Sequence, residues 1–209
     1  MPIFSGLTYE EMLEIAAITT DRKYAKGETI YFAGRRERSL YVIHIGRVKI
    51  SRISSAGKTQ VIRVLGPGEF MGELSILSGS PRTDYAEAVE PSTMCMIEGA
   101  KLKELMRKYP SIALKVMEEL SARLESAENT IEGISLHPAE QRLAQAILRL
   151  AGDTSKFSLA LTKGDFASQL GMTQETLSRK LSLFQDQGFI DMKGHRMIIV
   201  LDRDGLGEV

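Results

Sequence analysis

The segment from Leu161 to Val200 constrains the fold of this chain more than any other stretch of its 209 residues. It begins with apolar residues at the spacing of one buried helix face, over roughly Lys163 to Leu170. Gly171 follows, and glycine supplies the left-handed backbone with which a helix ends sharply. A second helix is expected after Thr173, whose hydroxyl suits a helix cap, and its buried stripe is Leu177, Leu181 and Phe184. Two short helices joined by so tight a turn predict a helix-turn-helix.

A β-hairpin is expected directly after the second helix. Gly188 ends that helix, and the residues from Phe189 to Leu201 alternate in polarity on either side of Lys193-Gly194. The hairpin adds a wing, so the segment is predicted to be a winged helix-turn-helix.

The outward side chains of the second helix are of the kinds that read base edges in DNA. Arginine bonds guanine with two parallel hydrogen bonds, glutamate accepts from cytosine, and serine bonds either partner. Arg179 is therefore expected to take guanine, Glu175 the opposing cytosine and Ser178 a neighbouring base. The expected DNA-binding residues are Thr173, Gln174, Glu175, Ser178, Arg179, Lys180, Lys193 and Arg196, with His195 as a further cation of the wing. The alternative interpretation is a pair of packed helices with a solvated charged face.

Bulk charge contributes nothing to this prediction, because 27 lysines and arginines balance 27 aspartates and glutamates. DNA binding would depend on a few placed cations, and on two copies of the chain acting together. Thr173, Lys180, Lys193 and Arg196 are expected to hold phosphates.

Composition bounds the class of protein. The length fits two modest domains, and 43% of the residues are hydrophobic, which is ample for a packed core. Cys95 is the only cysteine, so an intrachain disulfide and a four-cysteine iron–sulfur cluster are both excluded. Neither a long apolar run nor a signal-peptide pattern occurs, so we expect a soluble, cytoplasmic protein with no membrane partner.

The first half of the chain is expected to be mainly β-structure. A helix over about Leu7 to Thr19, capped by Thr8, precedes short strands that extend from Asp21 to about Ile97. Glycines punctuate them about every ten residues, which predicts an antiparallel sandwich or barrel. The clearest strands are Tyr41 to Ile45, Val48 to Ile53, Gln60 to Leu65 and Thr93 to Ile97.

A long helix with a coiled-coil pattern is expected next. A helix over about Ala100 to Lys108 is broken by Pro110, and the long helix runs from Ser111 to about Ser135. Its apolar residues recur in alternating steps of four and three, which is typical of pairing with a second copy of the chain. Packing on its own β domain is the alternative. The seam comprises Ala113, Met117, Leu120, Leu124, Ala127, Ile131 and Ile134.

The run His137-Pro138-Ala139-Glu140 is typical of a helix start, with proline at the first helical position and glutamate three residues after the cap. A metal site on His137 and Glu140 is a less favoured interpretation. The helix carries Leu143, Ala146, Ile147 and Leu150 on one face, and a polar connection over Asp153 to Ser158 leads towards the winged segment.

A motif of the size needed for a phosphate lies in the β region. Gly72 and Ser75 are small enough for backbone N–H groups to approach an anion, while Arg82 supplies a charged fork and Thr83 a hydroxyl donor. Glu73 is a natural acceptor for a sugar hydroxyl, so the motif predicts a pocket for a cyclic phosphate on ribose. In the alternative interpretation Arg82 pairs internally with Glu73. The expected effector-binding residues are Gly72, Glu73, Leu74, Arg82 and Thr83.

The order of these parts resembles the CRP/FNR family of bacterial transcription regulators over nearly the whole chain. The family's phosphate-binding cassette is similar to Gly72-Glu73-Leu74 through Pro81-Arg82-Thr83, and its recognition helix to the stretch from Gln174 to Asp186. The resemblance implies an α+β fold in three parts: an antiparallel β-roll of the cyclic-nucleotide-binding type (1–110), a dimerisation helix (111–136) and a winged helix-turn-helix (137–209). It further implies a homodimer on palindromic double-stranded DNA, with its recognition helices about one turn, roughly 34 Å, apart, and RNA polymerase as a partner.

Within the family, the run from Glu175 to Arg179 resembles the FNR branch, which implies a TTGAT-type half-site. Cys95 alone cannot hold that branch's cluster. The stretch from Ala127 to Thr130 stands where the cyclic-AMP branch has a Thr-Ser pair that holds adenine. Asp84 follows the cassette directly, and its carboxylate would oppose a phosphate unless it points away along the strand.

The sequence therefore leaves the identity of the small-molecule effector open. A cAMP-like cyclic nucleotide is favoured over haem. Haem is the alternative because some members of the family hold haem or sense nitric oxide. His44 is the only histidine of the β region, and a lone histidine on a strand is more often a packed or surface residue than a ligand, so no metal site is predicted there.

The function that these patterns favour is effector-responsive, sequence-specific DNA binding in transcription regulation. The alternative is an adaptor that senses a cyclic nucleotide, haem or nitric oxide, with weak or no specific DNA binding. No nucleophile elbow, Walker loop or metalloprotease helix occurs in the sequence, so an enzyme is not expected.

Overall fold

The computed structural model describes residues 4, 7–194 and 196–209, which form two compact units. The first unit ends at Leu124 and the second begins at Glu125, so the boundary falls inside the longest helix.

The first unit is mainly β-structure with helices at either end. Its elements are α1 (Tyr9–Ile18), β1 (Thr19–Tyr24), β2 (Thr29–Tyr31), β3 (Ser39–Ile45), β4 (Val48–Ile53), β5 (Thr59–Leu65), β6 (Phe70–Met71), α2 (Glu73–Leu77), β7 (Tyr85–Ala88), β8 (Ser92–Glu98), α3 (Gly99–Lys108) and α4 (Pro110–Leu136), which continues into the second unit.

The second unit is mainly helical with a small sheet. Its elements after α4 are α5 (Ala139–Ala151), β9 (Lys156–Ser158), α6 (Lys163–Gln169), α7 (Gln174–Asp186), β10 (Ile190–Lys193), β11 (Met197–Val200) and α8 (Arg203–Gly207).

Two antiparallel sheets make up the β-structure of the first unit. Their strand orders are β1-β8-β3-β6 and β2-β7-β4-β5. Both sheets contribute to one apolar core, with Ile43 and Met94 from the first and Tyr31 and Ile50 from the second. The predicted antiparallel sandwich or barrel is confirmed, and burial of these side chains from water is its main source of stability.

A second core covers the other face of the first sheet. Leu40 and Val42 of β3 face outward from the sandwich, and Ile15 of α1, Leu102 of α3 and Ile112 of α4 pack onto them. The start of α4 is therefore fastened to the β-structure by its own buried stripe.

The start of α1 is confirmed in detail. The Thr8 hydroxyl accepts from the Glu11 amide at 3.3 Å, and the Glu11 carboxylate accepts from the Thr8 amide at 2.6 Å. This reciprocal capping box satisfies two amides that the helix leaves unpaired.

The four clearest strands are also confirmed, to within two residues at each end. Strands β1, β2, β6 and β7 were not individually predicted. Strand β1 reads as polar because the side chains of residues 20–23 are exposed, and β6 has only two residues.

Two predictions in the second unit are corrected. Helix α5 begins at Ala139, because Pro138 has an extended ψ of 155° and occupies the cap position. The stretch from Asp153 to Ser158 is not merely a connection, since β9 pairs with β11 through Phe157 and Ile198. The wing is consequently a three-stranded sheet in the order β10-β11-β9.

Within the described part of the chain, no helix has both the length and the apolar character that crossing a bilayer requires.

Candidate nucleic-acid interface and effector cavity

The turn between α6 and α7 has the geometry that the sequence predicts. Gly171 has a φ of +66°, and the Thr173 hydroxyl accepts from the Thr176 amide at 3.1 Å as the cap of α7. The predicted stripe of α7 is buried to 1% exposure or less at Leu177, Leu181 and Phe184. Because this face is held in the core, the opposite face of α7 is presented to solvent.

The side chains of α7 that are expected to read bases lie on that outer face. Glu175 and Arg179 are exposed and Ser178 is half-buried. No described residue forms a hydrogen bond or ion pair with the Arg179 guanidinium. Gln174 differs, because its side-chain oxygen would lie 3.0 Å from a Cβ built on Gly164, which places it beside the start of α6. A free arginine near the N-terminal end of α7 can form the two parallel hydrogen bonds that guanine accepts.

Two of the lysines expected to contact DNA phosphates already form ion pairs within the chain. Lys180 forms an ion pair with Glu140 of α5, and Lys193 pairs with Asp191 within the wing at 2.8 Å, which raises the pKa of Lys193. Arg196 is exposed. His195, the remaining cation expected in the wing, lies outside the described residues.

A cavity of about 180 Å³ lies in the first unit, at the predicted cassette. All five expected effector-binding residues line it, together with Ser75 and with further residues that the sequence did not single out. The lining comprises Arg63, Gly72, Glu73, Leu74, Ser75, Ser78, Ser80, Pro81, Arg82, Thr83 and Asp84. Its volume is below the range usual for drug-sized ligands, so it can enclose the phosphate and sugar of a nucleotide rather than the whole molecule.

Arg82 is the most buried cation of this cavity, at 4% exposure. Its Nη2 donates to the Ser39 carbonyl at 2.8 Å, and its guanidinium carbon lies 3.9 Å from the centre of the Tyr31 ring. Its Nε and Nη1 are buried without a partner among the described residues. A buried donor without an acceptor costs about 1–3 kcal/mol, more for a charged group, so an anion that accepts from these atoms would remove that cost.

Gly72 permits this position of Arg82. A Cβ on Gly72 would lie 2.8 Å from Arg82 Nη1 and 2.3 Å from the Ser39 carbonyl oxygen, and its φ of +92° is one that L side chains rarely adopt. The Ser75 hydroxyl donates to the Gly72 carbonyl at 3.0 Å. The backbone of the cassette is therefore packed directly onto the arginine.

Glu73 is not the partner of Arg82 that the alternative interpretation supposed. Its Oε1 accepts from Arg63 Nη2 at 3.2 Å and from Arg123 Nη1 at 2.8 Å, while its Oε2 is buried with no partner in the described chain. Arg123 also donates to the Phe70 carbonyl at 2.7 Å. Arg123 belongs to α4, so these contacts fasten the long helix to the cassette.

The charges of the lining explain how a ligand would fit. Two unpaired donors of Arg82 match the oxygens of a phosphate, and the unpaired Oε2 of Glu73 matches a sugar hydroxyl. Thr83 also lines the cavity, and its hydroxyl accepts from Arg52 at 3.2 Å. Asp84 lines it too and does not point away; burial raises its pKa, and the Glu73 charge adds to the effect, while Arg63 and Arg82 act against it.

Sequence reasoning missed Arg63 and Arg123. Arg63 stands on a strand as one polar residue among several, and Arg123 follows Glu119 by four residues, which reads as an ordinary surface pair on a helix. No local pattern distinguishes either from a solvated charge.

The predicted seam of α4 is distinct from the stripe that packs on the β-structure. Ile112 and Val116 are buried in the first unit, whereas Met117, Leu124 and Ile131 are 54%, 61% and 66% exposed. The other seam residues vary: Ala113 and Leu120 are half-buried, Ala127 is exposed, and Ile134 is 47% exposed and lies beside Gly171. Apolar side chains so far exposed along one helix are typical of an interaction surface.

Comparison with known proteins identifies both units. A family model for the cyclic nucleotide-binding domain matches residues 21–109, and one for the Crp-like helix-turn-helix domain matches residues 141–209. A sensor-type β domain joined to a DNA-binding domain defines a transcription regulator.

The chain is 32% identical over 191 residues to the fumarate and nitrate reduction regulatory protein of Escherichia coli strain K12, which covers 88% of this chain and 76% of that relative. It is 29% identical over 189 residues to the cyclic AMP receptor protein of Thermus thermophilus, covering 90% and 88%. The solved structure of FixK2 from Bradyrhizobium japonicum has a TM-score of 0.79 at 25% identity and covers 91% of this chain and 96% of that one. The chain belongs to the CRP/FNR family and is a DNA-binding transcription regulator rather than an enzyme.

Proposed function

We propose that this chain acts as a homodimer that binds a palindromic operator with TTGAT-type half-sites, and that an effector in the β-roll cavity controls this binding. The observation that carries the DNA part is the guanidinium of Arg179, which is exposed on the outer face of α7 and has no partner among the described residues. Arg179 bonds guanine, Glu175 accepts from the opposing cytosine, and Ser178 contacts a neighbouring base. The regulator works in the cytoplasm, where DNA and RNA polymerase are its partners.

A direct experiment measures binding of the full chain to a labelled palindrome and to duplexes altered at one position of each half-site. Arg179→Ala should lose about 1–3 kcal/mol on the native operator and become indifferent to the altered guanine. Arg196→Ala, the matched control on the wing, should weaken binding to all these duplexes about equally. If Arg179→Ala also loses equally on every duplex, Arg179 contacts only the backbone and the assigned readout is wrong.

The ion pairs of Lys180 and Lys193 favour the second candidate, an adaptor with weak DNA binding, because they leave few free cations for phosphates. The same DNA-binding measurement distinguishes the adaptor from the operator-binding regulator. A palindrome bound no more tightly than random duplex at equal salt, with and without each effector tried, would establish the adaptor.

Dimerisation is assigned to the 111–136 helix, between a sensor domain of residues 1–110 and a DNA-binding domain of residues 137–209. The exposed seam of Met117, Leu124 and Ile131 supports it, because burial of a leucine or isoleucine side chain contributes about 1.5–3 kcal/mol. Two copies pair along this seam as a parallel coiled coil, which places two identical copies of α7 on successive major grooves.

The effector is assigned to the cyclic-nucleotide class. The unpaired atoms of Arg82 and Glu73 support a cyclic phosphate on ribose, and the name of the Thermus relative says that it receives cyclic AMP. The phosphate takes the free donors of Arg82, and a ribose hydroxyl donates to Glu73 Oε2. Because Glu73 Oε1 already holds Arg123, ligand binding bears directly on the contact that fastens α4.

Calorimetric titration of the full chain with cAMP and cGMP tests this assignment, with Arg82→Leu as the binding-deficient variant. We expect saturable binding that Arg82→Leu abolishes. An absorption spectrum of the protein as purified tests the haem alternative: a Soret band, together with no nucleotide binding, would overturn the cyclic-nucleotide assignment.

A further inference from the structure

Three side chains that can each bind a transition metal meet on the sheet of β1, β3 and β8. Asp21 on β1 is directly opposite Cys95 on β8 in the register of the two strands. His44 lies on β3, which borders β8 on its other side. None of the three lines the effector cavity, so this cluster is a separate feature of the first unit.

His44 lies at a β-bulge of β3, beside Cys95. Ile43 pairs with Met94 and Ile45 with Thr93, so β3 has one residue more than β8 at this point, and His44 is that residue. Bulges re-aim side chains, and here the Nε2 of His44 comes within hydrogen-bond distance of the Cys95 sulfur. A regular strand would have placed the histidine opposite Thr93.

The geometry suits one small cation. One ligand atom from each residue lies within 4.8 Å of the other two. A tetrahedral metal at about 2.0–2.3 Å from each ligand holds the ligand atoms roughly 3–4 Å apart. Asp21 and His44 are exposed, so their side chains can make the remaining adjustment, while Cys95 is only 7% exposed at the base of the site.

We propose that Asp21, His44 and Cys95 form a binding site for a divalent transition-metal ion of the zinc class. One imidazole nitrogen, one thiolate and one carboxylate favour zinc over magnesium or calcium, which prefer oxygen ligands alone. Solvent completes the coordination on the exposed side.

On binding, the Cys95 thiol loses its proton to solvent and its sulfur bonds the metal, while His44 binds as the neutral imidazole. The two anionic ligands balance the charge of the ion. The metal joins β1 to β3 across β8 and thereby stabilises the strand that directly follows α1. A hydrogen bond between His44 and Cys95 without any metal is the competing explanation.

Cobalt is the probe for this site, because cobalt bound to a thiolate absorbs by charge transfer in the near ultraviolet. Reduced, untagged full-length protein is titrated with Co²⁺, and then with Zn²⁺ in competition. We expect one cobalt per chain, displaced by zinc and not by excess Mg²⁺. Cys95 is the only cysteine, so the rate at which a thiol reagent modifies the native protein reports on it alone, and Zn²⁺ should slow that rate.

Variants separate the site from adventitious binding. Cys95→Ser should abolish the charge-transfer band. His44→Ala and Asp21→Asn should each weaken cobalt at least about tenfold, the loss that even an outer-shell change brings. Both positions are exposed, so these two variants keep their fold. His137→Ala, the matched histidine control, and Arg82→Leu, which changes the effector cavity and none of the three proposed ligands, should bind cobalt as the unaltered chain does.

A chain with no saturable cobalt signal would overturn the proposal. So would unaltered cobalt affinity in His44→Ala, because the ion would then be held by Cys95 without the cluster. If the unaltered chain binds cobalt but no cyclic nucleotide, the proposed effector is overturned instead, so the two assignments fail separately.

Discussion

Replacement of Gly72 by alanine tests the close packing that holds Arg82 in the cavity. The φ of +92° at Gly72 disfavours an L side chain by about 1–2 kcal/mol. The new Cβ would lie 2.3 Å from the Ser39 carbonyl oxygen and 2.8 Å from Arg82 Nη1, so packed atoms must move, which costs about 1–3 kcal/mol. We therefore expect the free energy of unfolding of the first unit to fall by about 2–5 kcal/mol.

The chain offers an assay specific to that unit. It has six tyrosines and no tryptophan, and every tyrosine precedes Leu124, so tyrosine fluorescence during urea unfolding follows the first unit alone. Gly34→Ala is the matched control, because Gly34 has a φ of +85° and a Cβ there would meet no atom within 4 Å. In Gly34→Ala the free energy of unfolding should fall only by the cost of the backbone conformation, about 1–2 kcal/mol.

The difference between the two variants, about 1–3 kcal/mol, measures the approach of Gly72 to Arg82 and Ser39. Gly72→Ala should also weaken nucleotide binding, because Arg82 must move, whereas Gly34→Ala should not. Equal loss of stability in the two variants would refute the reasoning, since the backbone conformation would then account for the whole effect.

Three further predictions concern other parts of the chain. Glu140→Gln frees Lys180 from its ion pair, so binding to random duplex should strengthen and the slope of log K against log salt should steepen by about 0.9 for each chain of the dimer. An unchanged slope would mean that Lys180 does not reach phosphate. Folding raises the pKa of Asp84, so the folded state is most stable when this carboxyl is protonated. Asp84→Asn should therefore raise the thermal midpoint at pH 7, and this gain should vanish as the pH falls below 3.8, the ordinary pKa of an aspartate. A gain that persists in acid would contradict the assigned cause. Leu124→Asp should weaken self-association by about 3–6 kcal/mol in sedimentation equilibrium, because each of two copies buries the side chain. Leu114 is exposed but lies off the seam, so Leu114→Asp should leave the association constant nearly unchanged. Equal effects of the two variants would argue against the seam.

Elements with a local signal were predictable from the sequence. The stripe of α7 and its cap at Thr173 are set by spacings of three and four residues, and the chain turns at Gly171 because glycine adopts a positive φ. The hairpin about Gly194 follows likewise from alternation. Strand β9 was missed because its partner, β11, lies some forty residues further along the chain, and three residues carry no periodicity of their own.

The candidate effector site was predictable in its members and not in their contacts. The cassette residues from Gly72 to Thr83 do line one cavity. Their hydrogen-bond partners, however, depend on tertiary packing. Arg82 donates to the Ser39 carbonyl, 43 positions earlier, and Glu73 accepts from Arg123, 50 positions later. The pair of Arg82 with Glu73, which adjacency in the motif suggested, does not form.

Patterns within a turn or a strand were enough to predict the order of parts, the helix-turn-helix with its wing, and the family. The seam of α4 was predicted from the same kind of pattern and stays a prediction. Which charged side chains form ion pairs and which do not became clear from the three-dimensional fold alone. Among the described residues, Arg179 has no partner and two buried donors of Arg82 have none, whereas Lys180 and Lys193 form ion pairs. The fold also brings His44 to Cys95 across 51 positions of sequence. The reason is that pairing and desolvation depend on distance in space, and in a sandwich of antiparallel sheets neighbours in space are remote along the chain.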